Sequence, residues 1–302
     1  MKKVLVVMGG FSDEREISLL SGHQVFDALK QSGYEVIPYD LKDVSDFVET
    51  LNRVRPEVVF NALHGAYGED GCIQGLLNLM KIPYTHSGVL ASAIGMDKNK
   101  TRLLAQSAGV DIARGGLMSK EVFLAQEPSR PYVVKPNNNG SSVGVFIVQN
   151  DSDKKAALSA WPDGENRLVE EYIAGRELSV AVWDDKGIGV VEIVPKTGYY
   201  DFQNKYSDGG AEHVIPAPIP PDVYETAMKQ AALVHRLLGC RGVSRSDFRF
   251  DEVHQNRLVF LEINTNPGMT ALSLVPDIMR VCQGTSYERV VSRLVEEAVC
   301  DA

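Results

Sequence analysis

The sequence predicts an α/β chain, α+β overall, with a parallel N-terminal unit followed by two units built on mixed and antiparallel sheets. Three observations predict it. Residues 1–96 alternate short apolar runs with amphipathic stretches, the βαβ rhythm of a parallel sheet. From Tyr132 to Trp183 strand-like runs follow one another closely, as in hairpins. The last third couples a helix-period segment, Val223–Leu238, to two alternating strands, Val243–Phe250 and Arg257–Asn264.

Lys3–Met8 reads as a buried first strand, because its apolar run stops at Gly9-Gly10, too soon for a signal peptide or a membrane span. Asp13–Ser32 has helical periodicity, with Ser12/Asp13 expected as the cap and Glu16 placed to complete a capping box. Glu35–Tyr39 and Glu57–Phe60 are the next strands. Functional loops belong at the carboxyl ends of such strands, here after Met8 and after Phe60. A second unit begins near Asp97, with a helix over Lys98–Ala108 ended by Gly109. The strands Tyr132–Lys135 and Val143–Val148 flank the loop Pro136–Ser142, and Leu168–Ile173 and Glu177–Trp183 flank Gly175. In the third unit Thr197–Gly210 is polar and aromatic-rich, an expected functional loop. Val223–Leu238 starts at Pro221-Asp222, presents Val223, Ala227, Ala231, Val234 and Leu238 on one face, and ends at Gly239. The expected units are 1–96, 97–184 and 185–302.

A chain of 302 residues can bury a large core without metal or disulfide staples. Its net charge is −9, and its lysines and arginines form no run or stripe, which argues against nucleic-acid and anionic-membrane partners. Cys72, Cys240, Cys282 and Cys300 form no CxxC pair, the usage of reduced thiols and of a cytoplasmic protein.

The most informative segment is the C-terminal strand pair. Period-2 alternation sets Arg245, Asp247 and Arg249 on one face of the first strand, and Glu262 and Asn264 on one face of the second. With Phe250 opposite Arg257, Arg245 lies opposite Glu262 and all five polar groups share a side; a one-residue slip separates them. In that register two carboxylates and an amide oxygen converge, the hard-oxygen set that Mg²⁺ takes when it grips nucleotide phosphates. Arg245 stands beside them as a fixed cation. A solvated edge hairpin is the plain alternative, since charges commonly protect exposed strands. The continuation Asn264-Thr-Asn-Pro-Gly-Met-Thr270 favours a ligand site, because a Pro-Gly turn after the strand aims backbone and side chains.

Leu261-Glu-Ile-Asn-Thr-Asn-Pro-Gly268 resembles the metal and acceptor segment of the ATP-grasp ligases, and Asn264–Thr270 is especially similar to the D-alanine–D-alanine ligases. His64-Gly-Ala-Tyr-Gly-Glu-Asp-Gly-Cys-Ile-Gln-Gly75 and Gly9-Gly-Phe-Ser-Asp-Glu-Arg-Glu-Ile-Ser18 resemble the N-terminal signatures of the same family, in the right order over essentially the whole chain.

The resemblance implies a two-part ATP-grasp fold behind an N-terminal substrate-binding unit. It also implies ATP with two Mg²⁺ ions, Mn²⁺ substituting, on Asp247, Glu262 and Asn264. Lys98 and Lys135 become phosphate ligands, together with Ser142 in the Gly140–Gly144 hairpin, whose residues alone also suit an ordinary turn. Glu170 and the backbone of Glu171 to Ile173 fall at the adenine edge, and Glu177 on the ribose. Glu14, otherwise an acid in a first helical turn, becomes the anchor of the first substrate's ammonium, tied to Ser141 and Tyr206. Lys205 meets the transferred phosphate, and Ser273 and Leu274 the acceptor carboxylate. His64 is a substrate contact or simply a loop hydrogen-bonder. Ala271-Leu272 departs from the family's usual polar pair before Ser273, and Glu171 from its usual lysine.

The implied reaction joins two D-alanines for peptidoglycan precursors. The first carboxylate attacks the γ-phosphorus of ATP, and the acyl phosphate is taken by the second amine, with Arg245 and a backbone N–H near Gly268 at the oxyanion. The Gly140–Gly144 and Thr197–Gly210 segments are the expected lids against water, and relatives suggest a homodimer. Rival readings are a D-lactate acceptor or another carboxylate–amine ligation, a silent nucleotide-binding module, and a Rossmann oxidoreductase. The last lacks G-x-G-x-x-G after its first strand.

Overall fold

The structure, a computed structural model, describes residues 1–140, 144–195, 211–253 and 256–301. Thr197–Gly210 and the tip of the Gly140–Gly144 segment lie outside the described residues, and with them Ser141, Ser142, Lys205 and Tyr206.

β1 (Lys3–Gly9) runs parallel between β2 (Glu35–Leu41) and β3 (Val58–Asn61). Both faces of β1 are covered, which is why the strand is apolar throughout. Val4, Val6 and Met8 pack with Val25 and Leu29 of α1 (Arg15–Gln31). Leu5 and Val7 pack with Phe47 and Leu51 of α2 (Val44–Val54) on the other side. The expected capping box at α1 does not form. The helix starts two residues late with Glu14 at its N-cap, and the Ser12 hydroxyl donates to the His64 carbonyl at 2.6 Å while accepting from the Glu14 N–H at 3.2 Å. The hydroxyl's lone pair serves the N–H of the N-cap residue itself, short of the first-turn N–H groups a cap would serve.

α3 (Cys72–Leu79) and α4 (Val89–Met96) lead to α5 (Lys98–Ser107), whose N-cap Asp97 accepts from the Lys100 N–H. An antiparallel sheet follows, built from β4 (Gly115–Met118), β5 (Tyr132–Pro136), β6 (Phe146–Val148) and β7 (Arg167–Glu171) in the order β4-β7-β5-β6. α6 (Lys120–Ala125) and α7 (Asp151–Ser159) complete this unit around Phe123, Tyr132, Val134 and Trp161.

The third sheet is antiparallel and contains β8 (Arg176–Trp183), β9 (Lys186–Pro195), β10 (Ala211–Val214), β11 (Val243–Asp251) and β12 (Arg257–Asn264), ordered β10-β9-β8-β11-β12. β8, expected with the central strands, is hydrogen-bonded here to β9 and β11. The change of sheet falls at Gly175, whose φ of 103° suits glycine; a Cβ there would sit 2.1 Å from the Phe250 carbonyl oxygen. α8 (Pro221–Leu238) buries Val223, Ala227, Ala231, Val234 and Leu238 and ends at left-handed Gly239, as its sequence requires. α9 (Leu274–Gln283) and α10 (Tyr287–Glu296) close the chain against the first unit.

The chain end is held in place. Asp301 accepts from the Val89 N–H (2.8 Å) and Asn78 Nδ2 (3.0 Å) and pairs with Arg241 Nη1 at 2.6 Å. No helix among the described residues is long and apolar enough to cross a membrane.

The β11/β12 register differs from the expected one. Asp251 faces Arg257, one residue off, and a bulge at Leu261 shifts the pairing by one more between Phe248 and Asp247. Asp247 therefore lies opposite Glu262, and Arg245 opposite Asn264. Two single-residue shifts restore side-chain parity, so the polar residues keep a common face while exchanging partners.

Candidate active site

The β11/β12 face is a network of charges. Arg245 clasps Asp247 from two residues away, Nε to Oδ1 at 2.9 Å and Nη2 to Oδ2 at 2.8 Å. The buried Ser179 hydroxyl on β8 donates to the same Oδ1. Lys98, at the start of α5, pairs with Glu262 at 3.1 Å and donates to the Asn139 carbonyl at 2.6 Å, linking the acidic face to the Gly140 loop. Asn264 Oδ1 accepts from the Asn266 N–H at 2.9 Å and keeps a second lone pair.

Two opposed carboxylates and an amide oxygen fit Mg²⁺, a hard cation held through one or two carboxylates plus phosphate oxygens. Among the described residues no trio of His, Cys, Asp or Glu clusters into an alternative metal site.

The residues expected at the nucleotide gather around β5 and β7. Glu170 is 4% exposed and lies between Lys135, which pairs with Oε1, and Arg102, whose Nε is 3.3 Å from Oε2. That Arg102 contact lies off hydrogen-bonding geometry, so Lys135 is the stronger partner. Committed in this way, the Glu170 carboxylate orients Lys135. The Glu171 carboxylate is likewise engaged, by Arg114 at 2.8 Å and Arg257 at 3.2 Å. Burial alone would raise the Glu171 carboxyl, but Arg114 (backbone and side chain) and Arg257 outweigh it and hold it below the usual range. Ile173 packs with Ala113 and Val259 in a small apolar cluster suited to a flat base. Glu177 pairs with Arg249 at 3.0 Å, and Arg249 donates to the Gly175 carbonyl at the sheet change.

Two residues expected at the substrate, Glu14 and His64, come from the loops at the carboxyl ends of β1 and β3. Glu14 is buried, and a Cβ on either Gly65 or Gly140 would sit 2.8 Å from its Oε2. Three loops thus converge on one carboxylate, and only glycines leave room for it. His64 is buried with Nδ1 3.2 Å from Glu69 Oε1. Burial alone would push the imidazole down. The Glu69 hydrogen bond and the charges of Glu69 and Glu14 outweigh burial and Arg245, and hold it above the ordinary histidine value.

The loop beneath is wired by buried Asn61 and Gln74, both donating to the Gly68 carbonyl at 2.9 Å. Asn266, 1% exposed, donates to the Leu63 carbonyl at 2.8 Å and brings the Pro-Gly turn against this loop. The turn is also fixed on α1, since Ser21 Oγ accepts from the Met269 N–H (3.1 Å) and Gln24 from the Ala271 N–H (2.7 Å). Ser273 Oγ accepts from the Thr270 N–H at 3.0 Å and would be 3.2 Å from a Cβ at Gly268. Leu274 buries its side chain in the core, so its free offering is the backbone of the first turn of α9.

The structure therefore brings together Arg245, Asp247, Glu262, Asn264 and Lys98, and separately Lys135 with Glu170, Gly268 with Ser273, and Glu14 with His64. The charges of Glu14 and Arg245 both reach His64. Sequence reasoning missed Ser179, Arg102, Glu69 and Asn266. The spacing His64 to Glu69 within a glycine-rich loop was the available signal for Glu69; the others carry none, because their partners are distant in the chain.

The family described as "D-ala D-ala ligase C-terminus" matches residues 114–296, and "D-ala D-ala ligase N-terminus" matches residues 3–55 and 45–87. The D-alanine--D-alanine ligase of Paramagnetospirillum magneticum is 49% identical over 306 residues, covering 99% of each chain. That of Rhodospirillum rubrum is 48% identical, covering 100% of this chain and 99% of the relative. The crystal structure of the Bacillus anthracis D-alanine--D-alanine ligase superposes with a TM-score of 0.83 at 30% identity, covering 98% and 97% of the two chains. The same enzyme complexed with ATP gives 0.81 at 27% identity over the same shares.

Proposed function

Because the chain belongs to the D-alanine–D-alanine ligase family, and so is an ADP-forming ligase joining two D-alanines with ATP for peptidoglycan precursors, we propose how its side chains divide the work. The observation that carries the assignment is the opposition of Asp247 and Glu262 across β11 and β12, with Arg245 and Lys98 as their cationic neighbours.

Glu14 binds the ammonium of the first D-alanine, and His64 and Arg245 face its carboxylate. That carboxylate is a poor electrophile until an oxygen becomes a leaving group, so it first attacks the γ-phosphorus of ATP and forms an acyl phosphate. Lys98, Lys135 and Arg245 counter the phosphate charge, with Lys205 and Ser142 assigned there from sequence alone. Glu170 holds Lys135 in place. Asp247, Glu262 and Asn264 would hold Mg²⁺, or Mn²⁺ in its place, and when bound it supplies positive charge at the phosphates. Ile173, the backbone at Glu171 and Glu177 take the nucleoside. Ser273 and the backbone at Leu274 place the second D-alanine, whose amine attacks the acyl carbon. Arg245 and the Gly268 N–H stabilise the tetrahedral oxyanion before phosphate departs. Ser141 and Tyr206 are assigned beside Glu14 on sequence alone.

The division into units 1–96, 97–184 and 185–302, residence in the cytoplasm and assembly as a homodimer belong to the same reading.

The test is a coupled assay of ADP release and D-alanyl-D-alanine formation with ATP, Mg²⁺ and D-alanine. Stoichiometric ADP and dipeptide are expected, with both abolished in Asp247→Asn. Dipeptide formation undiminished in Asp247→Asn overturns the assigned metal face.

A further inference from the structure

The His64–Glu69 pair has a geometry that substrate contact alone does not require. Glu69, 9% exposed, stands at the base of the loop after β3, where its N–H donates to the Gly65 carbonyl at 3.0 Å. Its carboxylate accepts from His64 Nδ1 at 3.2 Å. His64 is 7% exposed, and its other ring nitrogen, Nε2, is buried without a hydrogen-bond partner among the described residues. That nitrogen lies at the point where three loops converge on Glu14. A carboxylate can only accept, so it fixes the proton on Nδ1 and turns Nε2 away from itself.

We propose that Glu69 is a positioning residue, holding His64 as an imidazolium whose Nε2–H donates to the carboxylate of the first amino-acid substrate. The inference rests on the assignment of His64 to that carboxylate and deepens it. Glu14 takes the ammonium end of the same α-amino acid, so the two groups read its zwitterion from opposite ends. Binding the carboxylate supplies a partner for Nε2.

The charged groups facing His64 are Glu69 from its own loop, Glu14 from the start of α1, Arg245 from β11 and His86 from the stretch before α4. Burial drives His86 down to about 3, with the charges of His64 and Arg241 acting the same way, so it stays neutral and adds no competing charge. The two carboxylates outweigh Arg245 and burial, and the ring is held above its ordinary value. A group raised in this way keeps its proton below its shifted value and loses it as pH rises through that value. Productive binding of the first D-alanine therefore declines on the alkaline side.

The test compares Glu69→Gln, Glu69→Asp, His64→Ala and the Glu69→Gln/His64→Ala double variant, each confirmed folded by its melting temperature. In Glu69→Gln the NMR titration of the His64 ring should move to lower pH by about 1–3 units, the effect of removing an opposite charge at this range. kcat/KM for the first D-alanine should fall on the alkaline side, with its alkaline limb displaced to lower pH in step with the ring titration. KM for ATP should hold, and Glu69→Asp, which keeps the charge, should restore part of the loss. In a His64→Ala background Glu69→Gln should add nothing. If His64→Ala leaves kcat/KM for D-alanine intact, the underlying substrate assignment of His64 fails. If His64→Ala is impaired but Glu69→Gln neither moves the ring titration nor the pH profile, the positioning role alone is overturned.

Discussion

Glu170→Gln is the substitution whose consequences the structure defines most fully. Glu170 is 4% exposed and carries the negative charge between Lys135 and Arg102, themselves 9% and 1% exposed at the side chain. At an effective dielectric of about 20, the 3.3 Å Arg102 contact alone has a gross attraction of about 5 kcal/mol. Desolvating each ion costs several kcal/mol, so the pair's net worth is much smaller. Removing one partner is a different quantity, because it leaves buried charge uncompensated, at about 3–5 kcal/mol. Glutamine keeps the shape of the side chain and removes only the charge, leaving two cations facing a neutral amide. The expected results are a loss of about 3–5 kcal/mol in urea denaturation of the ligand-free protein, and a raised KM for ATP with KM for D-alanine unchanged. Adding Lys135→Met to Glu170→Gln should cost far less than the sum of the single changes, because one charge balance is disturbed in both. A loss below about 1 kcal/mol, the range of exposed ion pairs, together with additive double-variant energies, would refute the reasoning.

Other outcomes follow from single contacts. Ser179→Ala removes the hydroxyl that orients Asp247 and should weaken Mg²⁺ activation of ADP release about 10–100-fold, the usual effect of outer hydrogen-bond partners; unchanged Mg²⁺ titration refutes it. Gly175→Ala forces a side chain into left-handed backbone 2.1 Å from the Phe250 carbonyl oxygen and should cost about 2–4 kcal/mol in urea denaturation. Asp301→Asn should cost about 0.2–1 kcal/mol at neutral pH, the range of exposed ion pairs, by weakening its contacts to Val89, Asn78 and Arg241. Burial alone would raise the Asp301 carboxyl, but the hydrogen bonds from Val89 and Asn78 and the charge of Arg241 hold it below its ordinary value. Its contribution is therefore present above the unfolded value and is lost as pH falls through the folded one. The gap between Asp301→Asn and wild type should close in acid, as measured by melting temperature across pH.

Much of this architecture was legible in residue order. The alternation in Val243–Phe250 and Arg257–Asn264 assigns Arg245, Asp247, Glu262 and Asn264 to one face, and the structure keeps them there. The pairing within that face was not legible, because the bulge at Leu261 adds a residue with no glycine or proline to mark it. The helix after β1 was legible, but not its start, since the Ser12 hydroxyl bridges the His64 carbonyl and the Glu14 N–H and does not reach the first-turn N–H groups. β8 followed β7 so closely that it read as its neighbour; its real partners, β9 and β11, were fixed by long-range pairing. For the same reason Ser179, Arg102 and Asn266 left no local trace. Their roles exist only once distant strands and loops meet.

The cation-holding face is the centre of the proposed chemistry, and a crystal structure with Mn²⁺ and a non-hydrolysable ATP analogue tests it most directly. The expected result is anomalous density between Asp247 and Glu262, with their oxygens and Asn264 Oδ1 within about 2.0–2.2 Å of a cation that also touches phosphate, the distances of small octahedral divalent ions. Cations held by other residues, with Asp247 still held only by Arg245 and Ser179 and Glu262 still on Lys98, would contradict it.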